Sequence, residues 1–173
     1  MTERSLLLLR HAKSSWDDPS LDDFDRPLAK RGREAASRIA EEMTLRGWKP
    51  DHALISPALR TRQTWELVAA ALPHGILCDF VPAIYEAPAA RILEAVRSAP
   101  DEAGCLLVVG HNPGLEELAA LIASPESNDE AMARLSAKFP TAAIARFGFG
   151  GPWLALRPGA AMLEGFVTPK ELG

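Results

Sequence analysis

Four residues combine suitable chemistry with a recurring position: Arg10, His11, Arg60 and His111. Each follows a short apolar run. "SLLLLRHAKSSW" (5–16) drives four leucines into an Arg-His pair, "CLLVVGHNPG" (105–114) runs into His111, and "ALISPALRTRQT" (53–64) leads into a helix whose first turn carries Arg60. Arg62 lies two residues further on and points to another side of that helix. In an open parallel sheet the C-terminal strand ends share one edge, where ligands bind. Helix N-termini that follow the strands favour anions there. Two arginines and two histidines at such an edge suit a compact multivalent anion, most simply a phosphoryl group. At about 4 Å and an effective dielectric near 20, each charge pair is worth about 4 kcal/mol before desolvation. Arginine donates to phosphate oxygens as a planar fork and stays charged. A histidine held between arginines has its cationic form disfavoured. Neutral imidazole is a nucleophile, so the pattern points to phosphoryl transfer onto His11, with the other cations stabilising charge on the equatorial oxygens.

For these residues to meet, the chain must supply several parallel strands with helices between them. Short apolar runs do alternate with helical patterns, which predicts an α/β fold: a three-layer α/β/α sandwich around a mostly parallel sheet. Strands are expected at 5–9, 52–55, 76–81 and 105–109. Residues 12–26, with five aspartates, read as a loop. Ala36, Ile39, Ala40 and Met43 give one apolar face to a helix over Ala29–Arg46, and Gly47 suits its end. Gly32 inside that helix costs about 1 kcal/mol relative to alanine, which implies a close neighbour. Ser56-Pro57 reads as an N-cap and first helical position. Further helices are expected from Pro88 or Ala89 to Ser98, from Pro113 to Ala123, and from Glu130 to Ala137. Residues 142–149 and 153–157 read as a closing antiparallel hairpin turned by Gly150, Gly151 and Pro152. The last fifteen residues read as irregular.

Composition sets the outer bounds. A chain of 173 residues with 47% apolar and 24% charged side chains suits one domain, residues 1–173, with a real core. The net charge of −4, with no basic block, argues against nucleic acid. The apolar runs are of strand length, and the N-terminus lacks a signal pattern, so no membrane association and a cytoplasmic location are expected. Cys78 and Cys105 are too few for a disulfide framework. No Walker loop or acidic metal cluster lies on the proposed strand ends, so neither metal nor cofactor is expected.

"LLLLRHAKSSW", "SPALRTRQT" and "VVGHNPG", in this order, resemble the histidine phosphatase superfamily, whose members include phosphoglycerate mutases. The short chain, "RHAKS", "DRPLAKRG" and "FVTPKEL" resemble its SixA-type phosphohistidine phosphatases most. The resemblance implies His11 as the phosphorylated nucleophile, Arg10 and Arg60 as phosphate ligands, and His111 as a second phosphate-binding histidine. Ala12 stands where the family commonly has glycine, and Asp17 where mutase-like members often have asparagine. Glu86, in "AIYEAP", is the positional match for the family's carboxylate proton donor. Ser14 and Lys13 are close enough in sequence to donate to phosphate or to support the loop. Asp22, Asp23 and Asp25 read as a solvated loop or as partners for Arg26 and Arg31.

The resulting expectation is a metal-independent phosphatase acting on a protein-borne phosphohistidine through a covalent intermediate on His11, with Glu86 or water protonating the leaving group. Competing expectations are a phosphatase of small esters or of phosphoserine and phosphothreonine proteins, a mutase, a non-catalytic phospho-ligand module, and a structural domain without phosphate affinity.

Overall fold

The computed structural model describes residues 3–172. Its strands are β1 (Glu3–Arg10), β2 (His52–Ile55), β3 (Leu77–Phe80), β4 (Cys105–Gly110), β5 (Ile144–Gly150) and β6 (Met162–Val167). They form one sheet in the order β3-β2-β4-β1-β5-β6. The first four are parallel, and β5 and β6 are antiparallel to their neighbours. The helices are α1 (Lys30–Arg46), α2 (Leu59–Ala70), α3 (Ala89–Arg97), α4 (Gly114–Ile122) and α5 (Asp129–Ala137).

The leucine run feeds two cores. Successive strand residues face opposite sides of a sheet. Leu7 and Leu9 join Ile39 and Met43 of α1 and Val68 of α2 on one side. Leu6 and Leu8 join Ile92 of α3, Leu118 of α4 and Leu135 of α5 on the other. All four leucines are fully buried, and each contributes about 1.5–3 kcal/mol by leaving water. This is the expected three-layer sandwich. Among the described residues no helix is long and apolar enough to cross a membrane.

Three local expectations need correction. Residues 153–157 do not form a strand. Trp153–Ala155 make a short 3-10 turn, with Trp153 fully buried and its indole N–H donating to the Ala103 carbonyl. The strand that covers the outer edge of β5 is β6, inside the tail expected to be irregular. Its alternation is broken by Gly165 and by a bulge opposite Arg146 and Phe147, which hides the two-residue period. Third, α2 starts at Leu59, and neither Ser56 nor Pro57 caps it; Ala58 is the N-cap and makes no side-chain bond.

The inference about Gly32 holds. A Cβ there would lie 2.1 Å from the carbonyl oxygen of Lys13. The first turns of α1 thus press against the backbone just after His11, and Ala29 N–H donates to the same carbonyl.

Candidate active site

Register brings the two histidines together. Arg10 pairs with Gly110 across the parallel β1/β4 ladder, so the next residue of each strand is a histidine. The ladder runs on by one bond, from His11 N–H to the Gly110 carbonyl. The two rings end with centroids 5.2 Å apart. β2 pairs with β4 on the other side, Ile55 with Val109, which delivers Ser56 to the same edge. Arg60 follows in the first turn of α2, and its side chain is 4% exposed.

The ring nitrogens of His11 have defined roles. Nδ1 lies 2.7 Å from the Ala12 carbonyl, which only accepts, so Nδ1 carries the proton. In the neutral ring Nε2 then holds a free lone pair. Burial lowers the pKa of His11 to about 4, and the charges of Arg60, Arg10 and Arg26 push the same way against the Ala12 bond. The loop that places the ring is itself fixed. Thr64 Oγ1 on α2 accepts from Ala12 N–H, and Gln63 Oε1 accepts from Leu28 N–H.

His111 uses the opposite tautomer. Arg60 Nη2, which only donates, is 3.3 Å from Nδ1, and Nε2 faces Ser56 Oγ at 2.7 Å. Neutral His111 therefore accepts from Arg60 and donates to Ser56. Burial, His11 and Arg60 lower its pKa to about 3. Arg10 donates Nη1 to the Phe139 carbonyl. Two of the four buried arginine Nε groups without an acceptor belong to Arg10 and Arg60.

Sequence reasoning named Glu86 on the acidic side of the site but did not place Asp23 or Tyr85 there. Asp23, on the 3-10 turn Asp23–Asp25, accepts from Arg60 Nη2 at 3.0 Å and from the Tyr85 hydroxyl at 2.6 Å through Oδ2. Its Oδ1 accepts from Arg26, as expected, at 3.0 Å, and its main-chain carbonyl accepts from Arg60 Nη1. Burial raises the Asp23 carboxyl's pKa, but the bonds from Tyr85, Arg26 and Arg60 outweigh it and hold the carboxyl well below its usual range. Burial and Asp23 push Tyr85 up to about 12.

Glu86 lies at the rim, 3.7 Å from Arg60 and with its side chain 56% exposed. Burial and the neighbouring Asp23 raise its pKa, against the opposing charge of Arg60. Its backbone has φ +48°, which non-glycine residues rarely adopt. The turn is locked from behind, since a Cβ on Gly114 would meet the Ala87 carbonyl at 2.1 Å.

Ser14 is buried, and its Oγ accepts from Arg26 Nη1 at 2.7 Å. Arg26 is buried too, with its guanidinium 3.6 Å over the exposed ring of Trp16. It is a third arginine whose charge reaches His11, and its place inside an acidic loop concealed it. Asp17 is exposed. Among the described residues no group of three or more His, Cys, Asp or Glu side chains is arranged to hold a metal ion.

Comparison with known proteins gives a consistent picture. A sequence model of the histidine phosphatase superfamily (branch 1) matches residues 6–88. An uncharacterised chloroplastic protein of Arabidopsis thaliana is 37% identical over 182 residues, covering 97% of this chain and 79% of that protein. Among solved structures, a putative phosphohistidine phosphatase SixA from Agrobacterium tumefaciens is 32% identical, covers 96% of this chain and 98% of its own, and superposes with a TM-score of 0.78. A putative phosphohistidine phosphatase SixA from Nakamurella multipartitia is 27% identical, covers 98% of both chains and gives a TM-score of 0.82. By the family match, the 32% identity to one such relative and the shared fold, the chain belongs to the histidine phosphatase superfamily, resembles its SixA type, and is a hydrolase of the phosphatase kind.

Proposed function

We propose that the chain removes the phosphoryl group from phosphohistidine on a protein, without a metal, through a covalent intermediate on His11. One observation carries the reading. The His11 Nδ1 proton is committed to the Ala12 carbonyl, which leaves Nε2 as the free nitrogen, and burial together with the charges of Arg60, Arg10 and Arg26 favours the neutral ring.

In the first step Nε2 attacks phosphorus in line, and the bond from phosphorus to the leaving nitrogen breaks. Arg10 and Arg60 hold the phosphoryl oxygens, His111 joins them by turning its Nε2–H from Ser56 to an oxygen, and Ser14 and Arg26 support them from the loop side. Charge on the equatorial oxygens is met by arginine donors that the fold already holds at the site. The leaving nitrogen takes a proton from Glu86 or water. In the second step water attacks phosphorus and gives a proton to Glu86 or solvent, the P–Nε2 bond breaks with its electron pair returning to Nε2, and inorganic phosphate departs. Glu86 and Asp23 are carboxylates whose environments separate their pKa values, and the raised one suits proton transfer. A metal is not needed to neutralise the phosphoryl group when arginines do so.

The raised Glu86 also favours a second reading, in which the substrate is a phosphate ester. An alkoxide leaving group needs a proton more than a phosphoramidate nitrogen does.

The test is phosphate release, without added metal, from a phosphohistidine-bearing carrier protein by wild type and His11→Ala. Release by wild type, reduced at least about 10⁴-fold in the variant, is expected for loss of a nucleophile. Equal release by both would exclude His11 as nucleophile. Release by neither, with turnover of small esters by wild type, would move the assignment to the second reading.

A further inference from the structure

Outside the site, a charged groove of about 1140 Å³ lies between the first half of α1 and the C-terminal segment. It exceeds the roughly 300–1,000 Å³ of most small-ligand pockets. Its walls carry Lys13, Arg31, Arg38, Arg134, Lys138 and Lys170, against only Glu34 and Glu171. Arg134 is neutralised by Glu171. The other five cations form no ion pair among the described residues. The chain as a whole is net −4, so this concentration of positive charge runs against its composition.

The groove adjoins the site. Lys13 on its wall is two residues past His11, and the Lys13 carbonyl is clamped by Ala29 N–H and Gly32 of α1. On the other wall Pro140 and Thr141 lead into Ala142, whose N–H donates to the carbonyls of Arg10 and His11. A chain lying in the groove therefore passes beside the backbone that holds the nucleophile.

We propose that this groove docks an acidic segment of the phosphorylated protein substrate, flanking the phosphorylated residue. The inference rests on reading the site as a phosphoprotein phosphatase. Charge complementarity selects the occupant: exposed cations of one sign steer an anionic partner and set its orientation. Nucleic acid fits less well. The groove's one aromatic side chain, Phe166, is fully buried and offers no face on which a base could stack.

The probes are two synthetic peptides that carry phosphohistidine flanked by six glutamates or by six glutamines. Wild type is expected to prefer the glutamate peptide by about tenfold in kcat/KM, mainly through KM, with the preference fading as salt rises. The variant Arg31→Glu/Arg38→Glu/Lys138→Glu loses that preference. It keeps its kcat/KM for free phosphohistidine within about twofold, because these exposed residues lie outside the reacting groups. The milder Arg31→Gln/Arg38→Gln/Lys138→Gln variant guards against misfolding and shows the same loss in smaller measure. Equal turnover of both peptides by wild type overturns the docking inference and leaves the phosphohistidine reading standing.

Binding of the unphosphorylated glutamate peptide, read by fluorescence anisotropy, needs no turnover. Binding to wild type but not to the triple variant supports the groove even where neither peptide is hydrolysed, and that combination overturns only the phosphohistidine reading. No binding at low salt, or tighter binding of a single-stranded oligonucleotide, overturns the proposal.

Discussion

The site has a floor and a lip, and they are built differently. The floor consists of Arg10, His11, Ser56, Arg60 and His111, all on strand ends or in a first helical turn. The lip consists of Asp23, Arg26, Tyr85 and Glu86, all on loops or short turns. The floor is cationic and buried, apart from the half-buried Arg10. The lip carries two carboxylates and is partly open, with Asp23 and Glu86 side chains 40% and 56% exposed. Backbone register fixes the floor, whereas the lip is held by side-chain bonds to the floor itself. The floor is therefore suited to bind a phosphoryl group, and the lip to time protons and admit substrate.

The largest effect expected from breaking this division comes from Arg60, where floor and lip meet. Arg60→Ala removes a donor to the phosphoryl group and frees Asp23. Loss of one preorganised donor typically costs about 10²–10³ in kcat. The same loss is expected here, measured as phosphate release. Arg60→Lys recovers little, because an ammonium lacks the fork that reaches Asp23 and His111 together.

The buried histidines of the floor give the next effect. The pKa of His11 is lowered to about 4 and that of His111 to about 3. The unfolded chain, with histidines near 6.5, takes up these protons first. Stability is therefore complete above about pH 6.5 and falls as pH drops toward 4, with His11 alone accounting for about 3 kcal/mol. Melting temperature against pH should show this decline, and His11→Gln should flatten part of it. Ring signals of both histidines should stay those of neutral imidazole down to pH 5 by NMR. Titration of either near 6.5 would mean the floor is wetter than its burial implies.

Floor and lip also differ in how far they could be read from the sequence. A strand end after LLLL or CLLVV is a local feature, so Arg10, His11 and His111 could be placed before any contact was known. Arg60 followed from its helix. Ser56 was read as a cap because serine before proline often caps a helix, yet its hydroxyl faces His111 across 55 residues. Asp23 meets Arg60 across 37 residues and Tyr85 across 62, and no periodicity encodes such pairs. The misplaced final strand has a similar origin. WLALR is apolar enough to suggest a strand, but its tryptophan is used to plug a core. The true partner of β5 lies where Gly165 and a bulge interrupt the alternation.

Glu86 sharpens the comparison through the leaving group. If the lip supplies the proton, Glu86→Gln should lower kcat for an aryl or alkyl phosphate by about 10–10²-fold, within or below the usual range for general acids. For a phosphohistidine substrate, whose leaving nitrogen protonates readily, the loss should be only a few-fold. Equal losses on both would remove the acid role from Glu86 and return proton delivery to water.

The smallest effect, and the one with the most informative sign, belongs to Asp23. Its carboxylate uses the donors of Arg60 and Arg26 that a phosphoryl group would also seek. Asp23→Asn keeps an acceptor for the Tyr85 hydroxyl but removes the charge. If Asp23 competes with the ligand, inorganic phosphate or tungstate should bind about three- to tenfold tighter to the variant, seen as a larger rise in melting temperature at fixed ligand concentration. Glu86 should also shift down once its anionic neighbour is gone, moving the basic limb of ester hydrolysis to lower pH. If ligand binding weakens instead, Asp23 serves mainly to aim the two arginines. The lip would then be an extension of the floor, and entry of substrate would not require the Asp23–Arg60 bond to open.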